Sequence, residues 1–361
     1  MPQPITHYLV IEEALRNAAP EIWAEKGNFA GFGSFGPDLF YVKDVILSKF
    51  NPADDYEFLS DGLHAEKSFD FLCTMLDIAK TAVRVNREAA EKQLAYVLGY
   101  YAHVITDCVI HPYIYRHTHD HWKYHKPEKN YNAHKRTEAL IDCHILNEKG
   151  KKDSPPNSYA VSCKDDVNDD LLDMDIAGML ADALIKVYIA ILHQDFLAAD
   201  IKKANHPIHD SYKGFRHIVD TTYTAQNILY DLRGHFSGNK LLQKLTAADI
   251  AAADELHGPW LPNGLSNKLI YSVSDLFAMA VTAVTQFIGL TLKFWSSDGI
   301  DAKKFFLQNP ALYQDDNWNL DTGLPTRYNS DPTNLVIDDS RFDFGIDILA
   351  ANYTNLRTII E

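Results

Sequence analysis

Apolar residues recur along most of this chain at the three-to-four-residue spacing of a helix, and alternation of the strand type is scarce. In residues 5–17 the stripe is Ile5, Leu9, Val10, Ala14 and Leu15, which predicts an amphipathic helix. Residues 91–110 (EKQLAYVLGYYAHVITDCVI) read as a longer, more apolar helix, and residues 132–148 continue the theme. So do residues 171–197, 218–232, 241–256 and 272–295. The pattern predicts an all-α protein whose helices form one multi-helix bundle.

Three stretches interrupt it. Residues 31–37 (GFGSFGP) read as a Gly-rich turn; they lack the GK[ST] ending of a phosphate loop and follow no strand. Residues 149–158 (KGKKDSPPNS) cannot be helical throughout, because Pro155 and Pro156 have no N–H to donate. After Phe306 the chain turns irregular, so residues 1–300 are expected to form one all-α domain and residues 301–361 an extension packed on it. The longest apolar run, residues 276–292, carries Thr282, Thr285, Gln286 and Thr291 and is short for a span. It is expected to be a buried core helix, not a transmembrane segment.

The 361 residues carry 34 Lys+Arg against 49 Asp+Glu, a net charge of −15, which argues against an extended nucleic-acid surface. The 4 cysteines contain no CxxC pair, so neither a disulfide scaffold nor a Cys-rich zinc site is expected. The N-terminal residues lack a basic segment followed by an apolar one, from which a cytoplasmic location is expected. Histidine changes the picture more: there are 16, of which eight lie between His103 and His144.

Two of those eight frame the strongest local pattern, His103-x3-Asp107-x3-His111, on an otherwise apolar helix. Residues four apart share a helical face, with neighbours roughly 6 Å apart along the axis and the outer pair roughly 12 Å apart. One ion cannot comfortably take both histidines, whereas a carboxylate between them can bridge two ions. Burying three ionisable groups in one stripe is costly unless something neutralises them. A second pattern, His134-x3-Glu138, makes a natural ligand pair for one ion, with Asp142 one turn further on as support from behind. By itself an HxxxE is more often a solvated face. His7, Asp38 (in GPDLFY) and His64, taken to open the helical segment LHAEKSFDFL, complete the candidates. N and O donors without Cys suit zinc in a hydrolytic role. The run from Arg116 to His121 (RHTHDH) reads as a polar surface loop, and the stretch from His117 to His125, with Trp122, is a candidate cover for a cleft.

Taken in order, the elements TH, GPDLFY, a His before an aromatic helix, LGYYAHVITDCVIHP and AHKRTE resemble the zinc-dependent phospholipase C family. That family includes bacterial phosphatidylcholine-hydrolysing enzymes and the catalytic domain of glycosylphosphatidylinositol phospholipase D, and is distantly related to P1-type nucleases. The matching elements span residues 6–138. The resemblance implies an all-α fold with two or three zinc ions in a cleft. It implies that Asp38, His64, His103 and Asp107 hold one ion and that His111, His134 and Glu138 hold a second. His7 and Asp107 would hold a third, completed in the family by the chain's own α-amino group and first carbonyl. With Met1 retained, that third ion is expected to be weak or absent.

The reaction so implied is phosphodiester hydrolysis by metal-activated water, on a phospholipid or another small phosphodiester. Asp38 would orient or deprotonate the water, or serve purely as a ligand. Three alternatives remain at this stage. They are a P1-type nuclease or nucleotide phosphodiesterase, an intracellular family member recruited to a different metal-dependent reaction in a biosynthetic pathway, and a binding protein that retains the fold.

Overall fold

Proline opens each of the first two helices, where its missing N–H costs nothing: α1 spans Pro4–Ala18 and α2 spans Pro20–Gly33. A computed structural model of the chain describes residues 4–42, 57–122, 127–151, 172–192, 272–308, 317–320 and 324–325. The helices expected at residues 218–232 and 241–256, the proline break at 155–156 and most of the extension beyond 308 lie outside the described residues.

A short 3-10 helix, Gly36–Val42, follows α2. Then come α3 (Glu57–Ala65), α4 (Ser68–Ala82), α5 (Arg87–Trp122) and α6 (Pro127–Glu148). The later helices are α7 (Met174–Leu192), α8 (Val273–Trp295) and α9 (Ala302–Leu307). The described part is 85% helical, as the periodicity predicts. Its only described strands are β1 (Trp318–Asn319) and β2 (Leu324–Pro325), an antiparallel pair with Trp318 opposite Pro325.

Two expectations need correction. The polar run from Arg116 to His121 is helical, because α5 continues through it to Trp122. Once a helix exists, each added residue gains a hydrogen bond for two fixed dihedrals, and this run holds no glycine or proline to stop it. His64 closes a helix and does not open one: it sits in the last turn of α3. The chain turns at Glu66 and Lys67, whose N–H groups both donate to the Gly62 carbonyl.

The middle of the bundle is α5. From Leu94 to Ala102 it is apolar on every side, as a helix covered all round requires, and Leu94, Tyr96, Val97, Leu98, Tyr100 and Ala102 are buried. Helices α1, α2, α4 and α8 pack on it. The α2 contact is set by glycine: a Cβ on Gly99 would lie 1.9 Å from the Ala30 carbonyl oxygen, and one on Gly33 would lie 2.0 Å from that of Tyr96. Two backbones can come this close only without side chains between them. Helix α8 is long and apolar enough by length and composition to cross a membrane. In the fold, however, it buries Leu276, Phe277, Val284, Phe287, Ile288 and Phe294 and packs on α1 and α5, the core role expected of it. Ser272 and Asp275 start it with a reciprocal capping box.

The N-terminus of α4 is capped from far away. Its flanking residue, Lys67, offers no side-chain acceptor. Instead Asn317 Oδ1 accepts from the N–H groups of Phe69 at 3.0 Å and Asp70 at 2.9 Å. Such caps contribute about 1 kcal/mol.

Close approach, not helix propensity, decides what Gly99 tolerates. In an open helix Gly99→Ala would stabilise by about 1 kcal/mol. Here it should destabilise by about 1–3 kcal/mol as the backbones are forced apart. Thermal denaturation checks the sign, and a higher midpoint would contradict the close contact.

Candidate metal centre

Helix periodicity stacks His103, Asp107 and His111 on one face of α5, and all three are fully buried. The Asp107 carboxylate divides its two oxygens between two sets of imidazoles. Oδ1 lies 3.3 Å from His7 Nε2 and 3.5 Å from His111 Nε2. Oδ2 lies 3.0 Å from His103 Nε2 and 3.8 Å from His64 Nε2. Asp38 approaches from the 3-10 helix, with Oδ1 at 3.1 Å from His64 Nε2 and 3.8 Å from His103 Nε2.

Among the described residues, two donor groups result. In each, His7–His103–Asp107 and Asp38–His64–His103, the candidate donor atoms lie within 4.8 Å of one another. His103 belongs to both. The family pattern gave the shared role to Asp107 alone; the stacking of the His7 and His103 rings, with centroids 4.1 Å apart and planes 12° apart, brings the second sharing about.

Main-chain carbonyls aim the imidazoles. His103 Nδ1 lies 3.0 Å from the Ser34 carbonyl and His64 Nδ1 lies 2.8 Å from that of Ser60. A carbonyl only accepts, so each Nδ1 carries the proton and each Nε2 keeps its lone pair for the centre. The Gly-rich stretch makes the first of these bonds possible. Its early glycines belong to α2; Gly36 follows with φ +55, and a Cβ there would lie 2.3 Å from Cγ of the His103 ring. Only glycine combines that φ with room for the ring. The Ser60 hydroxyl donates to the Pro37 carbonyl at 2.8 Å, tying α3 to the residue before Asp38.

His7 is placed from the opposite side. Asp142, on α6, accepts from the N–H groups of Ile5 at 3.3 Å and Thr6 at 2.9 Å, and from the Thr6 hydroxyl. Its support therefore goes to the first turn of α1, beside His7. Burial pushes the Asp142 carboxyl up to about 8, against the pull of the Thr6 and Ile5 donors.

Electrostatics and orphaned atoms both bear on whether a cation fits. Burial, helped by nearby His103, lowers His7 to about 4, so its imidazole is neutral and ready to donate at physiological pH. Burial alone would raise the Asp107 carboxyl, but His111, His103 and His7 together hold it well below the usual carboxylate range. Among the described residues, both nitrogens of His7, His103 Nε2, Asp38 Oδ1 and both oxygens of Asp107 make no hydrogen bond, although His7 Nε2 and His103 Nε2 lie 3.0–3.8 Å from the nearest of these carboxylate oxygens. They converge on common points without aligning on each other. Buried polar atoms left this way cost several kcal/mol in total. A cation shared among imidazoles and carboxylates offsets that cost, so the donor set fits a metal ion.

The rest of the expected site is less complete. Glu138 is buried on α6, while the side chain of His134 lies outside the described residues. The stretch from His117 to His125 is helical as far as Trp122; its side chains, and residues 123–126 altogether, lie outside the described residues. Sequence reasoning missed Ser34, Gly36 and Ser60. Ser34 and Gly36 lie inside the Gly-rich stretch 31–37, which marked a turn but no role, and Ser60 carried only its spacing of four from His64 as a possible signal.

An all-α scaffold that buries a carboxylate between converging imidazoles has the donor set of a metal-binding protein. The zinc dependent phospholipase C profile matches residues 6–190, and the chain belongs to that family of zinc-dependent, phosphodiesterase-like hydrolases. Neither the curated proteins nor the solved structures compared with the chain include a match.

Gly36→Ala should displace the His103 ring while leaving the helices in place. Loss of a residue that orients a ligand weakens metal binding about 10–100-fold. Zinc affinity by chelator competition, beside far-ultraviolet circular dichroism, checks this; unchanged affinity would show that the ring does not depend on the turn.

Proposed function

We propose that the protein is a phospholipase C-like enzyme that hydrolyses a phosphodiester with metal-activated water. The observation that carries this reading is the division of the Asp107 oxygens between two imidazole sets in a chain of this family. In this reading Asp38, His64, His103 and Asp107 hold one zinc, and His111, His134 and Glu138 hold a second. His7 and Asp107 contribute to a third, giving two or three ions. When bound, zinc polarises a phosphoryl oxygen and lowers the pKa of water towards about 7.

The protein's own groups supply position and proton transfer. The carbonyls of Ser34 and Ser60 hold His103 and His64 in the tautomer that faces the centre. The Asp38 side chain is 16% exposed, whereas those of His64, His103 and Asp107 are 3% or less, so it is the group best placed to meet water and substrate. Asp38 orients the attacking water and accepts its proton. The substrate is a phospholipid or another small phosphodiester; the net charge of −15 disfavours a long polynucleotide.

Three measurements follow. A phosphatidylcholine analogue and single-stranded DNA, assayed side by side with zinc, should show cleavage of the lipid, with diacylglycerol as a product. Cleavage of DNA alone would replace this reading with a P1-type nuclease, and cleavage of neither would remove the phosphodiesterase reading. Asp38→Asn should lower kcat by about 100-fold or more, the scale of a lost general base. Asp107→Asn should lose both zinc, by elemental analysis, and activity; full zinc content in that variant would refute the bridging carboxylate.

A further inference from the structure

The family match ends at residue 190, yet a segment far beyond it is fastened to the corner that carries His64. Residues 317–320 lie across the junction of α3 and α4. Leu320, fully buried, donates its N–H to the His64 carbonyl at 2.9 Å, satisfying a carbonyl in the last turn of α3. The Ser68 hydroxyl donates to the Trp318 carbonyl at 2.8 Å and accepts from the Trp318 N–H at 3.1 Å. Asn317 caps α4 through Oδ1, and its Nδ2 donates to the Asp70 carboxylate at 3.0 Å. Lys303, on α9, reaches the other oxygen of Asp70 at 2.7 Å, and the Ala302 N–H donates to Asp77 at 2.8 Å. The downstream chain is thus held along α4 at several points.

We infer that the segment from Asn317 to Leu320 is a clasp that positions His64, making a part of the chain outside the family-matched region a determinant of the metal centre. The argument is local. Lys67 cannot cap α4, and the turn before it must still hold the end of α3 at a fixed angle to the start of α4. Asn317 and Leu320 supply both ends: one satisfies the first N–H groups of α4, the other a last carbonyl of α3. The second of these anchors is on the backbone of His64 itself, whose side chain faces Asp38 at 3.1 Å and Asp107 at 3.8 Å. Asn317 touches no donor atom of the centre and acts through His64, so it is a positioning residue. Burial alone would raise the Asp70 carboxyl, but the hydrogen bonds from Lys303 and Asn317 bring it below its ordinary value, which supports the pairing.

The inference rests on His64 being a metal ligand, and the test separates the two. Zinc content and zinc affinity by chelator competition are measured on the full chain, well below its melting temperature, together with the melting curve of the metal-free protein. Asn317→Ala should bind one ion about 10–100-fold more weakly and the others unchanged. Asn317→Asp combined with Asp70→Asn keeps the acceptor for the α4 N–H groups and reverses the partner bond, and it should restore the affinity. If His64→Ala keeps full zinc binding, the reading of His64 as a ligand fails. If His64→Ala loses an ion while Asn317→Ala only melts earlier, the clasp is merely stabilising and the inference is overturned. A combined exchange that stays as weak as Asn317→Ala also overturns it. Should Asn317→Ala not fold, Ser68→Ala decides, since it removes only the bonds to Trp318: weakened zinc binding supports the clasp and unchanged binding overturns it.

Discussion

The burial of one carboxylate, Asp107, constrains the rest of the structure. A charged group with no access to water in the middle of the longest described helix is tolerable only if its surroundings compensate it. Four histidines do so from three helices: His7 from α1, His64 from α3, and His103 and His111 from α5 itself. Each of those helices must reach Asp107 at a fixed depth. The glycine contact between α2 and α5 then acquires a second purpose. It draws the end of α2 against α5, so that the turn carrying Ser34 and Gly36 meets the ring of His103. Core packing and site geometry are thus set by the same close approach.

Much of this was legible in the residues. The i, i+4 spacing of His103, Asp107 and His111 fixes their common face whatever surrounds them, and an apolar helix that carries them must be buried. The bridging place of Asp107 therefore follows from helix geometry. The shared place of His103 does not. It depends on His7 stacking against it, a contact across 96 residues of sequence that no local pattern encodes. The same holds for Asp142: its spacing from Glu138 is visible, but its bonds to Ile5 and Thr6 depend on how α6 lies against α1.

The two misread segments have opposite physical causes. In the first, composition suggested a loop where continuity of hydrogen bonding decided otherwise. The histidine-rich run after Arg116 is polar, and polarity alone does not end a helix. Conversely, α3 stops just after His64 although nothing in LHAEKSFDFL resembles a strong breaker. The next helix begins at Ser68, where Asn317 provides the acceptor that Lys67 lacks. A boundary made by a cap 248 residues away is invisible to any window of the sequence.

That last boundary bears on how the family scaffold is completed in this chain. The matched region supplies every proposed ligand, from His7 to Glu138, but not every bond that holds those ligands still. The α3–α4 corner and the start of α4 are closed by residues beyond 300, and α5 is packed by α8. A ligand held loosely within its own domain gains definition from whatever the rest of the chain packs against it. Residues 317–320 therefore have a structural reason to lie beside His64: they satisfy the helix ends left open at the α3–α4 corner.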